Sequence, residues 1–125
     1  MSNAEIAAVL PDGWHRARGY AHAIAYTGRT IRVAGQMAVT GGRGPVAADM
    51  PMGAQFALAL GNVVACVTAG GETADQIVNL RVYVTDMAAF HGAGADIGTA
   101  WADHLGRHFP AMTVVEVSAR SGTNP

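Results

Sequence analysis

The sequence predicts an α+β fold in which two helices pack on one face of a β-sheet. Stretches with strand-like alternation and stretches with helical periodicity follow in the order two or three strands, helix, strand, helix, strand. Half of the 125 residues are hydrophobic, which suffices for one packed core without disulfides or metals. We therefore expect residues 1–125 to form a single domain.

The composition argues against several classes of partner. The chain has 8 Lys and Arg residues against 9 Asp and Glu residues, a formal net charge of -1, so it offers no basic stripe for a phosphate backbone. We expect no nucleic-acid partner and a small, near-neutral ligand. The stretch "MSNAEIAAVLPDGW" lacks the features of a signal peptide, and a single cysteine cannot form an intramolecular disulfide. These observations predict a cytoplasmic protein.

The stretch "GYAHAIAYTGRTIRVAGQMAV" predicts a β-hairpin, with Gly28-Arg29 as the tight connection between its strands. Its first strand alternates, and four large side chains share one face: Tyr20, His22, Ile24 and Tyr26. The next cluster, "TGGRGP", lacks the Gly-Lys-Ser/Thr ending of a phosphate-binding loop and is typical of a plain turn.

The first helix is predicted to be capped by Asp49, with Pro51 in its first turn, and to end at Gly70. Apolar residues recur at three- and four-residue steps along it: Met52, Phe56, Leu60, Val63 and Val67. The stretch "FALALGNVVACVTA" is short for a bilayer span and is interrupted by Gly-Asn, so it predicts a core helix and no membrane partner. Cys66 is expected to be an inert core thiol.

Two further strands are predicted. In "QIVNLRVYVTD", alternation divides the residues between two faces, with Leu80, Val82 and Val84 on one and Asn79, Arg81 and Tyr83 on the other. The last strand is "MTVVEVSA", after Pro110. We expect the apolar faces to meet the helices.

The second helix can start after Asp86 and carries a broad apolar stripe: Phe90, Ile97, Trp101 and Leu105. Gly92, Gly94 and Gly98 lie within it, and each costs about 1 kcal/mol relative to alanine. Close approach of another backbone and simple local looseness both account for them.

The sheet face away from the helices would carry tyrosines, among them Tyr20, Tyr26 and Tyr83. Another copy of the chain ordinarily covers such a face, and cyclic homo-oligomers are the common solution. We therefore expect a homo-oligomer.

Five stretches, "GYAHA", "VAGQM", "AQFALALGNVVACVTAGG", "VYVTDMAAF" and "FPAMTVVEV", follow in the order found in the RidA/YjgF family, which the chain resembles over nearly its whole length. The resemblance implies a chorismate-mutase-like (YjgF-like) α+β fold, a homotrimer, and small-molecule pockets at the subunit interfaces. Its best-known members hydrolyse imines and enamines derived from amino acids, with no metal and no organic cofactor.

The chain departs from the archetype at three polar positions. The arginine that holds the substrate carboxylate corresponds to Met112, the helix asparagine to Gly94, and the serine before "GQ" to Ala34. Because a thioether cannot replace a bidentate guanidinium, the resemblance argues against substrates like 2-aminoacrylate. The family's final strand, with its glutamate, would follow "ARSGTNP", where this sequence stops. Either a tail is missing from the sequence or the chain has lost that strand.

By resemblance, the remaining pocket consists of Tyr20, the backbone of Ala34 and Gly35, and Val114, with Met112 at its mouth. His22 stands where relatives often carry glutamine, and its imidazole could act as acid or base. The alternative is a histidine packed on a strand face with a satisfied hydrogen bond.

Two arginines on predicted strands, Arg32 and Arg81, could return a cation to the pocket from a new position. The alternative is that they pair with Glu116, Asp86 or another acid across an interface, and Arg107 is expected to be solvated. His104 and His108 have helical spacing but no intervening glutamate. We expect no metal site.

Two classes of function survive. In the first, the chain is a diverged enzyme that uses Tyr20, His22 and a water to hydrolyse an imine or enamine, or to catalyse a related tautomerisation or cyclisation. In the second, it is a non-catalytic binding or chaperone-like trimer that holds an apolar metabolite, with Met112 as adaptable packing surface. Action on RNA is a third and weaker option, because basic residues are scarce.

Overall fold

The computed structural model describes residues 5–42 and 44–118. Its strands and helices are β1 (Glu5–Val9), β2 (Ala23–Thr27), α1 (Met52–Ala69), β3 (Asn79–Val84), α2 (Met87–Gly92), α3 (Gly94–Leu105) and β4 (Ala111–Glu116). Short 3-10 turns lie at Thr40–Gly42 and Ala74–Gln76. The predicted absence of a final strand concerns residues outside the described part of the chain.

The β-structure consists of two small two-stranded sheets. Strands β3 and β4 are parallel, with Leu80 beside Met112, and β1 and β2 are antiparallel. An isolated parallel bridge between Ala21 and Ala111 connects them, and the Ala21 amide donates to the carbonyl of Pro110 at 3.0 Å. Leu80 and Met112 pack against a core that α1 and α3 supply. The predicted α+β fold with helices on one face is therefore confirmed.

The predicted hairpin is wrong in its second strand. Residues 28–39, all within the described part of the chain, contain no strand, and β2 pairs instead with β1, which the sequence analysis did not predict. Arg29 holds the start of this segment against the end of α1, because its Nη2 donates to the Gly70 carbonyl at 2.5 Å and pairs with Glu72 at 3.0 Å.

The end of the same segment is fixed by Asn62, in the middle of α1. Its Nδ2 donates to the carbonyls of Met37 at 2.9 Å and Val39 at 2.8 Å. A helix side chain thus satisfies both carbonyls, and the segment crosses α1 instead of joining a sheet. Asn62, which interrupts the apolar stretch of α1, thus has a structural role.

Helix α1 ends at Gly70, as predicted, but Pro51 occupies the N-cap position and Asp49 does not cap it. Among the described helices, α1 is the one whose 18 residues and apolar composition meet the minimum for crossing a membrane. It packs against α3, and its Leu60 and Val67 are buried in the core. Cys66 is exposed, so its predicted core position is wrong. The residue lies on the side of α1 away from the core.

The predicted second helix is two helices, because Ala93 both ends α2 and begins α3. A Cβ added at Gly92, Gly94 or Gly98 would meet no described atom within 4 Å, so no other part of the described chain approaches these glycines closely. Local looseness explains the break, since Gly flanks the joint on both sides and is a weak helix former. The close approach lies elsewhere: an added Cβ at Gly53 of α1 would stand 2.6 Å from Asp96 Cβ on α3.

The sheet face away from the helices is open in the single chain. Tyr83 is 61% exposed and Val115, its neighbour on β4, is 40% exposed. Arg81 and Thr113 form the adjacent exposed pair. Of the three tyrosines predicted on this face, Tyr83 is on it, whereas Tyr26 is on the separate β1–β2 sheet and Tyr20 precedes that sheet's second strand.

Candidate functional site

A cavity of about 500 Å³, here called the polar cavity, lies between the β1–β2 sheet and the segment that leads into β4. The polar and charged side chains that line it are Arg16, Tyr20, His22, Asp75, Arg107 and His108. Its size is within the range of small-molecule sites. Tyr20 and His22, the two predicted catalytic residues, therefore share one cavity.

The bridge at Ala21 positions these two side chains. Because side chains alternate along extended backbone, the residues on either side of Ala21 project in the same direction. The His22 ring meets the Tyr20 ring edge-on at 5.6 Å between centroids, and the Trp14 ring at 5.2 Å. His22 is exposed, and its ring nitrogens form no hydrogen bond among the described residues. Both nitrogens are available to a ligand or a water.

Two other lining groups have structural partners. His108 Nε2 lies 2.6 Å from the Ile77 carbonyl oxygen, which can only accept, so Nε2 carries the proton of this bond. Asp75 accepts a hydrogen bond from the hydroxyl of Thr73 in the short turn before β3. These contacts fix the rim of the cavity and leave His22 as its unbonded imidazole.

Arg16 and Arg107 were not predicted as site residues. Both are exposed, and neither forms an ion pair or side-chain hydrogen bond with any described residue. Arg107 reaches the cavity because it precedes the strand that bridges to Ala21. The sequence shows a charged residue next to "HFPAM" but does not show which strand that stretch would join.

A second cavity, of about 430 Å³ and here called the apolar cavity, lies beside the first. Its principal side chains are Phe56, Phe90, Ile97, Trp101, Phe109 and Met112. Trp101 and Phe109 stack at 5.9 Å between centroids, and the Trp101 indole donates to the carbonyl of His108 at 3.0 Å. Gly94 also lines this cavity, and Phe109 lines both. Met112 thus lies among aromatic rings.

The remaining predicted site residues lie elsewhere in the single chain. Ala34 and Gly35 are exposed in the segment that crosses α1, and line neither cavity. Val114 is half-buried on β4 beside Val82, while Arg81 is on the opposite, exposed face. The chain by itself brings together Tyr20 with His22 and Gly94 with Met112, and leaves the other four apart.

The arginine pairs considered from the sequence do not form within the described residues, where the ion pair is that of Arg29 with Glu72. Arg32 is exposed on the crossing segment. Glu116, a candidate partner, instead accepts a hydrogen bond from the Met87 amide at 2.7 Å, at the start of α2. Arg32 and Arg81 are therefore unpaired in the described chain.

His104 and His108 have separate contacts despite their helical spacing. A Cβ added at Gly61 of α1 would stand 3.2 Å from the His104 ring, whereas His108 bonds to Ile77. The described residues include no cluster of three potential metal ligands.

Comparison with known proteins identifies the family to which this chain belongs. The family model described as Endoribonuclease L-PSP matches residues 14–123. The chain belongs to the RidA/YjgF family. A RutC family protein of Haemophilus influenzae is 33% identical over 91 residues, which are 73% of this chain and 68% of that protein.

Two solved structures of this family illustrate the fold. The conserved Rid family protein YyfB of Yersinia pestis, described as of unknown function, is 25% identical and superposes with a TM-score of 0.76, covering 94% of this chain and 90% of YyfB. E. coli TdcF with bound serine is also 25% identical and has a TM-score of 0.56, covering 71% of this chain and 68% of TdcF. The RidA/YjgF fold of this chain is thereby shown.

Proposed function

We propose that this RidA/YjgF protein is a small-molecule enzyme that hydrolyses an imine or enamine, or catalyses a related tautomerisation or cyclisation, in the polar cavity. The observation that carries the proposal is that His22 and Tyr20 share this cavity with two arginines and a carboxylate. A titratable imidazole beside fixed charges is what acid–base chemistry on a small molecule requires. The structure of TdcF, a relative, contains bound serine, which is a small molecule.

The proposed reaction needs only water and proton transfer. An enamine first tautomerises to the imine by moving a proton from nitrogen to carbon, and water then adds to the imine carbon. His22 takes one proton from that water and gives it to the nitrogen, which forms a carbinolamine. His22 then moves the hydroxyl proton to the same nitrogen, the C–N bond breaks, ammonia leaves, and the oxygen becomes a carbonyl. The Tyr20 hydroxyl donates a hydrogen bond that orients the substrate, and no metal or cofactor takes part.

We further propose that the functional unit is a homotrimer in the cytoplasm, with the ligand bound where subunits meet. The exposed face of Tyr83 and Val115 supports this assembly, because a second copy would remove its apolar surface from water. Ala34, Gly35 and Arg81, which are exposed and lie apart in one chain, would then approach the site from a neighbouring subunit.

Release of ammonia from freshly generated imines tests the proposed chemistry. We expect His22→Asn to lower the rate at least a hundredfold, because acid–base catalysis by a positioned side chain contributes about that much. Tyr20→Phe should cause a smaller loss of roughly tenfold. His15→Asn is the matched control, since His15 is exposed and lines neither cavity. An unchanged rate in His22→Asn would refute the assigned role.

The second candidate function is a non-catalytic trimer that binds a metabolite or acts like a chaperone. The apolar cavity favours it, because Met112 and its aromatic neighbours suit an uncharged ligand. Comparison of the wild type with Met112→Arg on 2-aminoacrylate separates the candidates. A silent wild type and an active variant would indicate an intact scaffold with a changed ligand, whereas an active wild type would mean that the cation has been replaced from elsewhere.

Cleavage of RNA, which the description of the family model names, is the least favoured reaction for this chain. With 8 Lys and Arg residues against 9 Asp and Glu residues, a phosphate backbone finds little compensating charge. Incubation with single-stranded RNA, alongside the His22→Asn variant, checks this directly.

A further inference from the structure

More positively charged than negatively charged side chains line the polar cavity. Two arginines, Arg16 and Arg107, line the same space of about 500 Å³, and Asp75 is the one acidic residue among the lining residues described. Asp75 already accepts a hydrogen bond from Thr73 and forms no ion pair with either arginine among the described residues. Two positive charges therefore face one negative charge.

This arrangement favours an anionic ligand. Like charges that line one cavity repel, and solvent reduces this repulsion here because both arginines are exposed. Arginine is also the side chain best suited to a planar or tetrahedral anion, which its fork of N–H groups binds at two points. A small anion between the two guanidinium groups would neutralise the excess.

The remaining walls indicate what else the ligand carries. Apolar side chains line the cavity beside the charged groups, from β1, β2 and the turn before β4: Ile6, Val9, Leu10, Ile24 and Phe109. A highly hydrated inorganic ion would leave this surface uncovered. An organic anion with an apolar body would bury it and keep its charged end at the arginines.

We propose that Arg16 and Arg107 form an anion-binding site that selects small organic anions with an apolar body. The site is on β1's side of the Ala21–Ala111 bridge, in the polar cavity, and does not include Met112. It depends on the proposed function only in taking this anion to be the substrate. The imine or enamine would then carry its charge at the arginines and its reacting carbon near His22.

Binding of an unreactive pair of compounds tests the site without turnover. Isothermal titration of the full-length protein with 4-methylpentanoate and with neutral 4-methylpentanamide compares the same body with and without charge. We expect the carboxylate to bind at least tenfold more tightly, with affinity falling as salt is added. Arg16→Gln and Arg107→Gln should each weaken carboxylate binding about five- to tenfold and leave amide binding unchanged, an effect limited by solvent exposure.

The matched control is Arg18→Gln, which removes an exposed arginine that lines neither cavity. Circular dichroism of each variant checks that it is folded. Equal binding of acid and amide, or an equal loss in Arg18→Gln, would overturn the proposal. Selective binding with no ammonia release would retain this site and reject the proposed reaction. If both arginine variants release ammonia as the wild type does, and the acid and the amide bind equally, the proposed reaction is retained and this site is rejected.

Discussion

The two neighbouring cavities differ in how they are built. The apolar cavity is an extension of the core, because Trp101 is buried in it and Met112 packs against the same cluster. Most of the side chains that line the polar cavity are exposed, and the side chains of His22 and Arg107 have no hydrogen-bond partner among the described residues. The first cavity is thus continuous with the buried core, whereas the second contains the unbonded polar side chains.

Replacing the tryptophans one at a time should give the largest contrast between the cavities. Trp101→Ala removes a buried ring, its stack on Phe109 and its bond to His108, so we expect a loss of about 3–5 kcal/mol in the free energy of unfolding. Trp14→Ala should cost less than about 1 kcal/mol, because Trp14 is 57% exposed. Urea denaturation followed by circular dichroism measures both. Similar losses would show that Trp14, whose ring meets His22 of the polar cavity, packs as part of the core as well.

Removing the N-terminal cap of α2, the helix that contributes Phe90 to the apolar cavity, should have an intermediate effect on the stability of the protein. Asp86 accepts a hydrogen bond from the Ala89 amide at 3.0 Å at the start of this helix, and Phe90 of the same helix meets Phe56 edge-on. We expect Asp86→Ala to destabilise the protein by about 1 kcal/mol, and Asp49→Ala, which removes no cap, to have no measurable effect. Thermal unfolding compares the pair, and an equal loss in Asp49→Ala would contradict the assigned cap.

The smallest expected effect is at Gly98, which lines the apolar cavity. An added Cβ meets no described atom within 4 Å there, so Gly98→Ala should stabilise α3 by up to about 1 kcal/mol. The control is Gly53→Ala, whose Cβ would clash with Asp96 at 2.6 Å and should cost about 1–3 kcal/mol. A folded but dissociated Gly98→Ala protein would instead show that a second copy approaches this glycine, which light scattering would detect.

Much of the fold could be predicted because its signals are local. The alternation of Leu80, Val82 and Val84 and the helical spacing that ends at Gly70 both appear where expected. Asp86 precedes the second helix, as predicted, for the same reason. The break at Ala93 differs from the prediction of one continuous helix, although glycines on both sides of it indicate a weak helix.

The candidate site was predicted only in part. Tyr20 and His22 are two residues apart, so a single stretch of extended backbone was enough to place them together. Arg16 and Arg107 are distant in sequence and line one cavity because of the Ala21–Ala111 bridge, which no local pattern reveals. The predicted hairpin is wrong for a similar reason, because the partner of β2 is β1 and not the stretch that follows β2 along the chain.

The sequence by itself determined the fold class and the family, since these depend on periodicity and on residue identity. The tertiary structure decided which side chains share a cavity. It assigned Met112 to an apolar extension of the core and Arg107 to the cavity of His22. The physical reason is that strand pairing and helix packing join residues far apart in the chain, and their energies depend on the whole fold.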